Sequence, residues 1–468
     1  MRTKKFRIEP FSFFNHTAIS AHLEKMARKG WMLEKVSALG WQYRRCTPQA
    51  IHFAVSYYPK ASEFDPEPSE GQKTLQDFCA CAGWELVCTA AQMQIFSNTQ
   101  EDPTPIETEP ELELEAIRAS AKKSFLPSYI LLLFFGLLQT VFFVSNALGD
   151  PINLFSSPAK LFSGLCFFLL ALLCAAELVT YLRWLHRAEA CAKQGLLLDV
   201  PNTALFQRIV LVIILAAATL FLLHSFLFGD AMMHFLVVIM CFYMPLLLLI
   251  GNVVKNFLKR RKAQKRINFA VTLASVTLAS FLFLGLVTVS TLWASSHGFF
   301  AEKDEETYTY AGQTWVAHLD ELPLTLEDLV DVENSEAYIR ERRANTSFLL
   351  GEFVMTQRPR FDAENFRDLP RLKYTVVDVR LPILYETCKE RLIYEQEQLH
   401  VDTEHAYSYE AEAPEPWSAN EVYRLIHSEY GPQNTYLLCY DTLLIELDLD
   451  WTPTEAQKAI IGEKLSVL

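Results

Sequence analysis

Five apolar runs, at 125–148, 161–184, 205–228, 231–254 and 269–293, constrain this chain more than any other feature. Each holds the roughly 20 residues that a helix needs to cross hydrocarbon. A backbone inside hydrocarbon has to satisfy its own hydrogen bonds, so the runs predict a bundle of five transmembrane helices. The 51% apolar composition of the 468 residues is thus concentrated in the middle of the chain. Soluble regions are left on either side, at 1–98 and 294–468, with an acidic, proline-rich linker and basic membrane approach at 99–124.

The opening "MRTKKFRIEPFSFFN" has no uninterrupted apolar core and no small-residue cleavage site, so it does not read as a secretory signal. Cations lie at Arg118, Lys122 and Lys123 before the first run and at Arg183, Arg187 and Lys193 after the second. The connection between the fourth and fifth runs carries Lys255, Lys259, Arg260, Arg261, Lys262, Lys265 and Arg266 and no acid. The alternate connections, "GDPINLFSSPAK" and "GDAMMH", hold almost no cations. By the positive-inside rule the N-terminus is expected in the cytoplasm and the C-terminus outside. The basic connection is also a candidate surface for anionic lipid headgroups, at about 1 kcal/mol per cation.

The net charge of −13 is uneven: from Ala294 onward there are 15 basic and 34 acidic residues, a net of −19. So acidic a domain is a poor match to nucleic acid, whose phosphates call for clustered cations. Cys46, Cys79, Cys81, Cys88, Cys166, Cys174, Cys191 and Cys241 fall in the cytoplasmic or membrane parts and are expected as thiols. Cys388 and Cys439 lie outside and could form one disulfide or stay as two buried thiols.

The N-terminal region reads as a βαββ unit written twice. A helix at 17–29 sets Ile19, Leu23 and Met26 on one face, and Gly30-Trp31 breaks it into two strands. A second helix with Leu75, Phe78, Cys79 and Ala82 on one face ends at Gly83-Trp84, an offset of 53 residues. The frame fades inside the helices, where Ile19 and Leu23 align with Gln72 and Gln76. The expected fold is an α+β domain whose two helices cover one face of an antiparallel sheet, leaving the other face or a groove for a ligand or protein.

The combination of "HLEKMARKGWML", "WQYRRCTPQAIHFAVSYYP" and "FCACAGWELVCTAAQMQIF" with several spans resembles the membrane proteins that carry domain of unknown function 2812. The resemblance implies a bacterial multi-pass protein with a cytoplasmic N-terminal domain, and it carries over no site residues.

Beyond the spans, helix starts of capping-box type stand at Thr325 with Asp328, at Ser418 with Glu421, and at Thr452-Pro453 with Glu455. Alternating segments at 374–381 and 435–450 predict strands, so a second, acidic α+β domain is expected at 294–468. Asn345 opens a glycosylation-type triplet that has no meaning in a bacterial protein.

Glu177 is the one acid inside a span, which makes it a candidate intramembrane polar site, with burial against a donor as the plainer reading. His224, Asp230 and His234 surround one hairpin without ligand spacing, and no metal is expected. Cys79 and Cys81 point about 200° apart on a helix, too far to share an ion. Trp31, Trp41, Trp84 and Tyr43 suit a core better than a pocket. Phosphate-binding, dinucleotide, zincin and serine-hydrolase motifs are absent, and no cofactor is expected. The reading is a non-catalytic membrane sensor or interaction protein linking a cytoplasmic ligand- or protein-binding domain to an extracytoplasmic one. The alternative is a transporter or transporter subunit using Glu177, and a membrane enzyme comes third.

Overall fold

The N-terminal soluble region repeats one topology. β1 (Lys4–Arg7), α1 (His16–Arg28), β2 (Trp31–Ser37) and β3 (Gly40–Arg45) are followed by β4 (His52–Tyr57), α2 (Glu70–Cys81), β5 (Glu85–Ala90) and β6 (Met93–Asn98). The strands form two antiparallel sheets of order β1-β3-β2 and β4-β6-β5, the same order in each half. Each half carries a register shift, between Leu33 and Lys35 in one and between Leu86 and Cys88 in the other, which is again the 53-residue offset. A bulge is a specific local device, so its recurrence at the same offset supports a true duplication. Both helices end on a glycine in the left-handed region, Gly30 at φ +76° and Gly83 at φ +84°, as a C′ residue should. Asn15 and Ser69 cap the helix starts, accepting from Ala18 N at 3.2 Å and Gln72 N at 3.3 Å.

The helices do not share one face of a sheet, and this corrects the expected layering. Ile19, Leu23 and Met26 of α1 pack in one core with Phe53, Val55, Tyr57, Met93 and Ile95. Cys79 and Leu75 of α2 pack on the opposite side of the same sheet with Trp84, Ala54 and Phe96. β6 is therefore buried at all six positions, covered on both faces. The helix positions where the repeat fades lie in the second interface: Gln76 Nε2 donates to Gln94 Oε1 at 2.8 Å across it. Trp41, Trp84 and Tyr43 are core, while Trp31 is half-buried beneath Lys5 and Arg45.

The computed structural model describes residues 3–37, 40–196, 198–229, 231–297, 299, 305–398 and 406–468. The stretch at 99–124 is largely helical from its middle onward. α3 (Pro110–Ser120) runs through a π-helical turn at Ala121–Phe125 into α4 (Leu126–Gly149). After α5 (Pro151–Ser156) come α6 (Pro158–Ala192), α7 (Ala204–Phe228), α8 (Ala231–Arg260) and α9 (Lys265–Ser296). Five helices are thus long and apolar enough to cross a membrane, one for each apolar run. Phe134, Leu215, Leu249 and Leu284 are among the many apolar side chains they leave uncovered, as lipid contact requires.

Two compact units make up the chain, Met1–Gln139 with Cys166–Ser296, and Thr140–Leu165 with His297–Leu468. After the last span the second unit resumes with a hairpin, β7 (Glu305–Tyr310) and β8 (Gln313–His318). Its body is an antiparallel sheet of β9 (Tyr338–Thr346), β10 (Leu350–Pro359), β11 (Leu372–Val379), β12 (Tyr407–Glu412), β13 (Glu421–His427), β14 (Gly431–Cys439) and β15 (Leu443–Leu449). Their order is β12-β13-β14-β15-β11-β10-β9. α11 (Glu455–Leu465) covers one face, with Ile461 and Leu465 in a core that includes Trp417, Tyr374 and Tyr436. α10 (Tyr385–Gln398) and α5 cover part of the other, with Cys388 and Leu392 against Val377, Leu437 and Leu444.

Two of the three expected helix starts need revision. Ser418 and Glu421 open no helix: Ser418 closes a 3-10 turn at Glu415–Trp417, and Glu421 begins β13, whose β-branched and aromatic alternation outweighs the capping spacing. The last helix is capped by Thr454 with Gln457, two residues beyond the expected Thr452. Thr325 and Asp328 do form a capping box, on a single 3-10 turn.

Candidate functional site

A carboxyl inside an apolar helix has to find donors or stay costly. Glu177, on α6, is fully buried and finds two. Ser12 Oγ donates to its Oε2 at 2.6 Å, and Gln207 Nε2 donates to its Oε1 at 2.7 Å. Thr203 and Gln207 stand one turn apart at the start of α7, and their polar atoms lie 3.1 Å apart. Ser12 Oγ is also 2.8 Å from Thr203 Oγ1 and 3.0 Å from Gln207 Nε2, which closes the network. Asn15 Nδ2 adds a bond to the Pro201 carbonyl at 3.4 Å. Glu177 thus fastens the segment between β1 and α1 to two spans.

A second acid in that segment does similar work. The Glu9 side chain is fully buried, 2.8 Å from Arg7 Nε, 3.1 Å from His22 Nε2 and 3.8 Å from Arg208 on α7. Burial alone would raise its pKa, but His22, Arg7 and Arg208 outweigh burial and hold the carboxyl below its ordinary value. Phe11 and Trp41 flank the His22 ring.

The equivalent connection in the second half, between β4 and α2, reaches the other spans. Glu63 pairs with Lys255 at 2.9 Å, Glu67 with Lys262 at 2.8 Å and Asp65 with Lys265 at 3.9 Å. Asn268 Nδ2 donates to the Phe64 carbonyl at 3.1 Å, and Phe64 meets Phe269 edge to face. Three cations of the candidate lipid-facing loop are therefore engaged by this domain's own acids. Lys259, Arg260, Arg261 and Arg266 make no ion pair among the described residues. Solvent-exposed pairs are individually weak, so this contact acts as a charge-matched docking surface rather than a main source of stability.

Of the other sequence candidates, Cys79 is buried and Cys81 exposed, on different faces of α2. His224 lies against Phe228, and His234 Nε2 is 3.2 Å from the Phe226 carbonyl. Asp230 lies outside the described residues. No group of three or more metal-binding side chains occurs among the described residues. Cys388 and Cys439 share one apolar cluster as free thiols, and burial pushes both pKa values up to about 12.

Sequence reasoning picked out Glu177 and the basic loop but missed Ser12, Thr203, Gln207 and Glu9. The one readable signal was the alternating acids in "EFDPE" at 63–67, which mirror the basic connection in charge.

Residues 17–129 match the family described as "Protein of unknown function (DUF2812)". The match covers the helices and strands of the repeat and runs through α3 into the start of the first span. No curated protein and no solved structure matches the chain.

Proposed function

We propose that the domain of unknown function 2812 at 17–129 is the cytoplasmic interaction module of a bacterial membrane sensor, which links a ligand or protein on its side to the C-terminal domain across the bilayer. One observation carries the reading: both β-to-α connections of the duplicated domain grip the spans, 8–15 through Glu9 and Ser12, and 58–69 through Glu63, Asp65 and Glu67. A domain held at two places on four helices transmits a displacement to them, whereas a domain tethered by a linker would not. The basic loop that pairs with the second connection is one the positive-inside rule assigns to the cytoplasm. Glu177 serves this fastening, since both of its oxygens are occupied and none of its surface is exposed. A transport role would need that carboxyl free to meet a substrate or proton.

The test has two parts. In intact cells a membrane-impermeant maleimide should label a cysteine placed at exposed Glu410 and leave exposed Cys81 unlabelled. In the purified full-length protein, a photo-crosslinking residue at exposed Phe78 should capture a cytoplasmic partner whose binding alters protease cleavage of the C-terminal domain. Labelling of both sites in intact cells, or capture without any change in cleavage, overturns the proposal.

A further inference from the structure

One face of the C-terminal sheet changes character along its length. Paired residues on neighbouring strands share a face, and side chains alternate along each strand. Val377 with Leu444, and Leu437 and Cys439 beside them, form an apolar patch under Cys388 and Leu392 of α10. Two residues further along the same face the pairs become Thr375 with Glu446 and Lys373 with Asp448, and Thr435 pairs with Asp448 from the other side. α10 follows the change, since Gln396, one turn beyond Leu392, reaches Glu446 with its amide. The polar end lines a cavity of about 250 Å³ together with Tyr407, Gln433 and Leu425. This leaves room for a ligand smaller than the drug-sized molecules that fill sites of about 300–1,000 Å³.

The cavity carries charges of both signs. Lys373 and Asp448 are exposed cross-strand partners, Glu446 is half-buried, and none of the three makes an ion pair among the described residues. Among the described residues Glu446 has only the Gln396 amide as a hydrogen-bond donor, and Asp448 only the Thr435 hydroxyl at 3.1 Å. Behind the lining, the Tyr409 hydroxyl is buried with no hydrogen-bond partner among the described residues. Burial raises the pKa of Glu446, so a cation beside it would recover the cost of keeping it charged.

We propose that this cavity binds a small zwitterion of the amino-acid type, its ammonium between Glu446 and Asp448 and its carboxylate at Lys373. The lining carries two acids and one lysine, and such a ligand supplies the complement of each sign at once. Thr375, Thr435 and Gln433 are placed to bond its remaining polar groups.

The test is thermal unfolding of the full-length protein in detergent with each of the twenty standard L-amino acids, followed by calorimetric titration of those that raise the midpoint. At least one should bind. Its amide and its N-acetyl derivative, which each remove one charge, should bind at least ten-fold more weakly. Glu446→Gln and Lys373→Met should each weaken binding by a similar factor while near-ultraviolet circular dichroism stays unchanged, and exposed Glu410→Gln should leave it intact. Stabilisation by none of the twenty overturns the proposal. So does an amide that binds as well as its parent acid, which marks a plain amine site, or stabilisation by calcium alone that is lost in Glu446→Gln.

Discussion

Gln207→Leu tests the fastening of the N-terminal domain most directly. The Gln207 amide nitrogen has two hydrogens and three acceptors, Glu177 at 2.7 Å, Ser12 at 3.0 Å and Thr203 at 3.1 Å, so it makes two bonds at a time. A bond to a carboxyl contributes about 1.5–3 kcal/mol and one to a hydroxyl about 1 kcal/mol. Leucine recovers about 1 kcal/mol through apolar contact. The expected loss is therefore about 1.5–3 kcal/mol. Polar bonds between membrane helices average nearer 0.6 kcal/mol, because the helices find other partners when apart. Ser12 belongs to a soluble segment, however, and once released it meets water rather than another helix. Equilibrium unfolding in mixed micelles gives the free energy, and hydrogen exchange along α1 reports whether the domain has loosened. A double-mutant cycle with Ser12→Ala should show coupling of about 1 kcal/mol, because both changes touch the same carboxyl. Energies that add to within about 0.5 kcal/mol, or unchanged exchange in α1, would show that the network does not act as a unit.

Glu9 predicts a pH effect. Its carboxyl is held below the ordinary value of 4.5, so it stabilises the fold above the unfolded pKa, and that contribution disappears as pH falls through the depressed folded value. Stability of the wild type should thus fall more steeply than that of Glu9→Gln below about pH 4.5, and parallel unfolding curves against pH would count against the ion cluster. In the C-terminal domain, a Cβ on Gly462 would lie 2.2 Å from the Trp417 carbonyl oxygen, so Gly462→Ala should cost about 2 kcal/mol or more, read as a lower melting midpoint. Iodoacetamide at pH 8 should modify exposed Cys81 and spare buried Cys388 and Cys439 in the folded protein. After denaturation without reductant both should be modified, and mass spectrometry showing them unmodified would establish a disulfide.

Legibility in the sequence followed the range of the signal. The spans were plain because length and apolarity are local properties, and each run became one helix. The Gly-Trp frame was plain because a left-handed residue after a helix is also local. The layering was not, since nothing in "MQIFSN" says that both faces of β6 are covered, and Gln94 is fully buried there although glutamine normally marks an exposed face. Ser12 and Glu177 are separated by 165 residues, and serine, threonine and glutamine near a membrane surface carry no mark of a shared network. Glu177 stood out only because an acid is out of place in an apolar helix.

The repeated topology accounts for a grip with two halves of unlike chemistry. The two βαββ units share one geometry, and the β-to-α connection of each emerges toward the spans. The first copy keeps an apolar helix core at Ile19 and Leu23 and seals its connection with buried, short-range bonds to Glu177 and Arg208. The second places Gln72 and Gln76 at the matching positions and docks through exposed ion pairs that salt can screen. The first contact is therefore the fixed end of the domain and the second the adjustable one. Raising ionic strength should release Glu67 from Lys262 well before it disturbs Ser12 and Glu177.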